Sequence, residues 1–228
     1  MKYPTILLSS LLAFVATACQ STGARGNVAT EGKAAESAES QMVADLAAAQ
    51  HLARWGRQNK NALALAAAAA VMNQTPAGDD APKPPAAAAD MPQKDSKATP
   101  ATAESLLAEA RALAGGDQAM LAAIARAGEA SRGRKEGPGS VTTRVGARSE
   151  DIYNETYRGG EIARVTVDGD GDTDLDVYVF DENGNLIASD DDGTDFCVVS
   201  WRPRWTGPFR IVVRNLGNVY NRYTLTTN

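Results

Sequence analysis

The chain has 228 residues, with 28 acidic and 23 basic side chains and a single histidine, for a net charge of −5. That length holds one ordinary domain with substantial extra, or two small ones. Charge is unevenly spread: residues 149–228 carry fifteen acidic residues and seven arginines with no lysine, a net −8. An acidic unit of this kind repels phosphate backbones, which argues against nucleic acid as a partner. The chain has no zinc-ligand spacing and no Gly-rich phosphate loop. A Ser-His-Asp site would need His51, the only histidine, to fold back across two linkers. This inventory predicts no enzyme.

The N-terminus reads as an export signal. Lys2 supplies the positive start, residues 6–15 an apolar run, and Ala16, Thr17 and Ala18 a small-residue cleavage site before Cys19. The apolar run is too short to span a bilayer, which takes about 20 residues. Residues 16–19 resemble a bacterial lipobox, although Ala16 stands where that motif usually has a large apolar residue. The resemblance implies that residues 1–18 are removed and that Cys19 carries the lipid. Several acyl chains anchor firmly, since each buried CH₂ contributes about 0.8 kcal/mol. Gln20 follows the cysteine, and in Gram-negative sorting a residue other than Asp implies an outer-membrane lipoprotein of the cell envelope. Cys197 is then left without an internal partner and is expected to be a buried thiol.

Residues 19–33 read as a tether. Between residues 34 and 73 apolar side chains recur at helical spacing (Met42, Leu46, Leu52, Trp55, then Leu63, Leu65 and Val71), with a break near Gly56. This predicts a helical hairpin in which Trp55 packs and His51 faces solvent. Residues 74–100 are rich in Pro and Ala and form a linker. Residues 101–131 form a further helical segment, one helix over 103–113 and a second over 118–130 capped by Asp117. The apolar faces are mostly Ala, so an isolated bundle is marginal and oligomerisation or a packing partner is expected. Residues 132–148 read as a second linker.

From Ser149 onward Ala nearly vanishes and period-2 alternation takes over. Ala163, Val165 and Val167 share a face, as do Leu175, Val177 and Val179. Phe209, Ile211 and Val213 point inward, and so do Tyr223 and Leu225. Residues 181–185 (DENGN) make an Asn-Gly hairpin turn. Six to eight short strands in about 80 residues argue for a two-sheet sandwich. The fold class is therefore α + β in separate parts, an Ala-rich helical N-terminal half followed by an antiparallel β-sandwich.

Ordered motifs here resemble the bacterial pre-peptidase C-terminal domain. They are the Asp-Leu-Asp-apolar strand at residues 174–177, the acidic-Asn-Gly turn at 181–184, Thr206-Gly207 with Phe209, and the Tyr-Thr-Leu strand at 223–225. The match covers residues 149–228. It implies a jelly-roll-like sandwich of the kind appended to exported proteins, some relatives binding collagen or polysaccharide and some holding calcium. No peptidase sequence precedes it in this chain, so the role of processing an attached protease is not carried over.

Residues 168–195 hold eleven carboxylates and no basic residue. In a strand, Asp172, Asp174 and Asp176 project from one face, with Asp190 and Asp192 across the hairpin. Converging like charges need protons or a cation, and Ca²⁺ suits an all-oxygen set. The segment is no EF-hand, because Leu175 falls where the loop needs Gly. The other reading is a solvated acidic rim balanced by Arg202, Arg204, Arg210, Arg214 and Arg222, and both stay open. Trp205, Arg204 and Tyr220 are the candidate ligand-binding residues; Trp201 is expected in the core. The sequence thus points to a non-catalytic envelope lipoprotein, held to the membrane through Cys19, whose sandwich is a binding module for a protein or glycan. The alternatives are an accessory domain of an envelope hydrolase system and a small carboxylate-dependent hydrolase.

Overall fold

A computed structural model describes residues 26–75, 82–83, 101–129 and 137–228. The signal segment, Cys19 and most of the 74–100 linker lie outside these residues.

Ser37 caps α1 (Ala38–Gln58) by accepting from the Ser40 N–H, with Glu39 in the first turn and Arg57 in the last. That charge order suits the helix dipole. Asn61 caps α2 (Ala62–Gln74) in the same way. The two helices cross closely because residue 56 is glycine: a Cβ there would come within 2.8 Å of a Leu65 methyl. A capping box of Thr102 and Ser105 opens α3 (Ala103–Ala114). Gly115, at φ +56°, ends α3, and Asp117 caps α4 (Gln118–Ala127). The alanine faces are filled by a few larger residues, Leu65, Leu106, Leu107 and Ile124, all buried. Trp55 departs from expectation, for it is half exposed; His51 is exposed as read, with one side of its ring meeting Phe196 edge-on at 4.4 Å.

Eight strands follow: β1 (Gly139–Val145), β2 (Glu150–Tyr157), β3 (Ala163–Asp168), β4 (Leu175–Asp181), β5 (Leu186–Asp190), β6 (Phe196–Trp201), β7 (Gly207–Asn215) and β8 (Asn221–Thr227). β1 falls inside the stretch that reads as a linker in sequence, so the first sheet begins ahead of Ser149. Two four-stranded sheets result, ordered β1-β8-β3-β6 and β2-β7-β4-β5. β1 pairs with β8, β2 with β7, β3 with β6 and β4 with β5, all antiparallel. This nesting is one long hairpin rolled on itself, the jelly-roll arrangement.

Between the sheets lie the alternating residues read from sequence. Val165, Val167, Leu175, Val177, Val179, Phe209, Ile211, Val213, Tyr223 and Leu225 are all buried, each aliphatic contributing about 1.5–3 kcal/mol. Three hydroxyl bonds cross the interior. Tyr153 and Tyr223 meet at 2.6 Å, Tyr223 donates to Asp151 at 2.7 Å, and Tyr157 meets Thr227 at 2.6 Å. Burial pushes the Tyr153 phenol up to about 12, so it stays a neutral donor at any working pH.

The outer face of the first sheet is not left to water. α1 lies along β3 and β8, so Thr166 and Thr226, which alternation turns outward, are fully buried. The helical half and the sandwich therefore share an interface.

Candidate functional site: the two ends of the sandwich

The loops gather at two ends. One end holds the β2–β3, β4–β5 and β6–β7 connections and receives the N-terminal segment. The other holds the β3–β4 and β5–β6 connections, which carry most of the acidic run.

At the first end, Asn27 is fully buried. Its N–H donates to Asp181 Oδ2 at 2.8 Å, and its side-chain amide donates to the Trp205 carbonyl at 3.0 Å. Its side-chain oxygen accepts from the N–H groups of Arg204 (2.9 Å) and Trp205 (3.0 Å). Asp181 organises the β4–β5 turn by accepting from the N–H groups of Asn183 and Asn185, each at 2.9 Å. Burial raises the Asp181 carboxyl, but the bonds from Asn185, Asn27 and Asn183 outweigh it and hold the group below the ordinary carboxylate range. Farther along, Ala29 donates to the Arg202 carbonyl, Arg202 donates to the carbonyls of Glu31 and Gly32, and Ala35 bridges to Glu161. The stretch read as a free tether is, from residue 26, stitched to the sandwich. Beside it lies a mostly polar hollow of about 380 Å³ lined by Glu39, Glu155, Arg158, Glu161, Thr227 and Asn228. Burial raises the Glu155 carboxyl.

At the second end, the principal cation comes from the helices. Arg54 of α1 donates to Asp168 at 2.7 Å and to Asp195 at 2.8 Å, and its guanidinium lies 5.0 Å over the Phe196 ring. Burial opposes the Arg54 charge, yet the two carboxylates outweigh it and hold its pKa above the ordinary value. Asp168 is raised overall, because burial exceeds the pull of Arg54. Of the five arginines read as balancing the rim, Arg214 pairs with Glu150 at 2.6 Å and also acts on Asp176, Arg222 gives its backbone N–H to Asp170 at 3.0 Å, Arg210 stacks on Phe180, and Arg202 and Arg204 bind carbonyls of the N-terminal segment. Sequence reading missed Arg54. Its signal was a basic stripe of His51, Arg54 and Arg57, one turn apart on an Ala-rich helix.

The candidate metal ligands do not line one strand face. Asp172 and Asp174 precede β4, and only Asp176 is in the strand, where it is 5% exposed and accepts from the Tyr178 hydroxyl at 3.1 Å. Asp190 accepts from the Val198 N–H at 2.7 Å, satisfying a donor on the free edge of β6. Asp192 accepts from the N–H and hydroxyl of Thr194. Asp174 has a buried side-chain oxygen with no partner among the described residues. Burial first, then the charges of Asp176, Asp192 and Asp195, raise its carboxyl. Among the described residues no group of three or more His, Cys, Asp or Glu is placed to hold a metal ion.

The aromatic candidates are separated. Trp205 is 40% exposed at the first end, donating its indole N–H to Glu182 at 2.8 Å. Tyr220 sits in the β7–β8 loop beneath Arg144, and the nine residues of β7 put it roughly 30 Å away at the other end. Trp201 is buried against Tyr157 and Phe209. Cys197 is a buried free thiol, donating to the Leu175 carbonyl at 3.0 Å, and burial pushes its pKa up. His51 touches Phe196 on the opposite face of the same strand, so the thiol and the imidazole do not meet.

No family model matches the sequence, and a comparison with curated proteins gives no match. Among solved structures, the sandwich is distantly similar to the pre-peptidase C-terminal domain of a collagenase from Bacillus anthracis. Identity is 14% over 40% of this chain and 89% of that one, with a TM-score of 0.33. A de novo designed double-stranded β-helix is similar at 17% identity over 39% of this chain and 97% of that one, with a TM-score of 0.26. Each likeness covers about two fifths of this chain, and the topology of the sandwich rests on the strand pairing described above.

Proposed function

We propose that this chain is a non-catalytic envelope lipoprotein, anchored through Cys19 in the outer membrane, whose sandwich offers its acidic end to a protein partner. The observation that carries this reading is the placement of the two ends. The N-terminal segment leading back to Cys19 is clamped at one end, while the loops of residues 169–174 and 191–195 gather carboxylates at the other. A partner with a basic surface suits such an end, since complementary charge speeds encounter and sets orientation. A glycan partner has less support, because Trp205 spends its indole N–H on Glu182 and Arg204 donates to the Val28 carbonyl.

Two experiments test it. Fatty-acid analogue labelling in cells should mark the wild type and leave Cys19→Ser unmarked; equal labelling removes the anchor. A photo-cross-linking residue at position 191 should give a discrete adduct that is lost when Asp190 and Asp192 become Asn. An adduct that survives those changes shows that the carboxylates do not hold the partner and removes the charge-based reading.

Carboxylate-dependent hydrolysis is the second reading, favoured by the hollow that Glu39, Glu155 and Glu161 line and by the raised Glu155 carboxyl. Turnover of chromogenic glycosides or esters that disappears in Glu155→Gln would establish it over the first.

A further inference from the structure

We infer that the end of the sandwich formed by the β4–β5 turn, the β6–β7 loop and residues 26–29 lies against the bilayer that holds the chain's own anchor, with Trp205 and Leu186 as its interfacial contacts. This rests on the reading of Cys19 as the lipidated residue.

Tether length comes first. Asn27 follows Cys19 by eight residues, and a fully extended chain spans at most about 3.6 Å per residue, or roughly 29 Å in all. Asn27 cannot swing the domain away, because it is fully buried and bonded to the backbone of the β6–β7 loop and to the Asp181 carboxylate. Gly26 is wedged against the same end: a Cβ there would approach Ile187, Asn185 and Asp181 to 3.0 Å or less. The attachment point of the anchor is thus fixed on the domain, not merely near it.

The chemistry of that end follows. Leu186 is 55% exposed and Trp205 40%, on either side of the point where the chain enters. Trp is the side chain most at home in the headgroup layer, with an apolar body and one polar N–H. Arg202 and Arg204 at the same end hydrogen-bond to carbonyls of the N-terminal segment, which keeps cationic groups at this surface. The acidic loops lie at the far end of strands some 20–30 Å long, so this orientation also carries the strongest negative charge away from an anionic lipid surface. The opposite pose would press that charge onto the membrane and demand nearly the full extension of the eight residues between Cys19 and Asn27. No helix among the described residues is long and apolar enough to cross a membrane, so the contact is peripheral.

The test uses the full lipidated chain in vesicles of phosphatidylethanolamine and phosphatidylglycerol (3:1) containing headgroup-quencher lipids. A fluorescent label is placed on Asn183→Cys, at the tip of the β4–β5 turn, or on Asp191→Cys, in the acidic loops. Buried Cys197 stays out of reach of the reagent. Quenching at position 183 should exceed that at 191 by at least threefold, and the double change Trp205→Ser with Leu186→Ser should lower the value at 183 at least twofold. Equal quenching at 183 and 191, or stronger quenching at 191, overturns the orientation. An unchanged value at 183 in the double variant overturns the two contacts. Mass measurement of the N-terminal peptide and vesicle flotation are read alongside. A chain that lacks acyl groups and stays in solution refutes the anchor itself, an outcome distinct from an anchored chain in the wrong orientation.

Discussion

Arg54 and Asp195 are 141 residues apart in sequence and 2.8 Å apart in space. The same guanidinium also holds Asp168, so one helix side chain bonds two buried carboxylates of the sandwich. Near the start of α1 the staple runs the other way: Arg164 of β3 reaches Glu36 and Ser40. These two contacts fasten the helical half along the strand.

Replacing Arg54 with Met should therefore be costly. Asp168 and Asp195 are 9% and 5% exposed, and leaving buried charges unpaired costs about 3 kcal/mol. Adding Asp168→Asn and Asp195→Asn to the same chain should restore most of that loss. Urea unfolding of the four variants closes the cycle; a single variant within about 0.5 kcal/mol of wild type would show that the clasp contributes nothing.

Proteolysis should cut the chain without separating it. Cleavage within residues 84–100 and 130–136 is expected to yield a fragment beginning near Gly137, ahead of β1, that stays bound to residues 26–75 through Arg54, Arg164 and Asn27. Gel filtration should show the pieces co-eluting. A sandwich that elutes alone would mean that the interface with α1 is too weak to matter.

Acidification should first strengthen the fold and then weaken it. Asp174, Asp176 and Asp168 are raised chiefly by burial. Their contribution is full below the ordinary value of 3.8 and is lost as pH climbs through their raised pKa values. Asp181 is lowered, so its contribution is present above 3.8 and is lost as pH falls through its depressed pKa. The melting temperature should rise from pH 7 toward pH 4–5 and drop below about pH 3.8. Asp174→Asn should raise the pH 7 value and flatten the acidic rise. A melting temperature that falls steadily from pH 7 to 5 contradicts these assignments.

Calcium and magnesium should raise the melting temperature equally at matched ionic strength. Asp190 and Asp192 already accept from Val198 and Thr194, and Asp172 and Asp174 lie in the loop before β4, so the remaining effect is screening of like charge. An increment from calcium alone, abolished by Asp174→Asn, would show that the loops of residues 170–174 and 190–193 close on the ion.

Much of the fold is legible in the residues, because its signals are local. Apolar spacing of three to four residues in the Ala-rich half gives the helices, and Asp117 marks the start of the last. Alternation from Ala163 to Leu225 placed the inward face of the sandwich side chain by side chain, since the strand period is two whatever the partner. Cys197, left without an internal partner, and Trp201 also lie inside as expected. β1 escaped notice because its seven residues pair with the last strand of the chain, and only that pairing separates them from a linker. Tertiary structure decided everything that depends on which faces meet. Strand direction sent Trp205 and Tyr220 to opposite ends, though fifteen residues separate them in sequence. Docking of α1 turned two of the acidic residues into a clasp for Arg54. A single asparagine in a polar tether became the fixed point of the N-terminus, because a buried carboxylate and two loop N–H groups needed its hydrogen bonds. Such pairings draw on donors and acceptors far apart in the chain, and no local pattern encodes them.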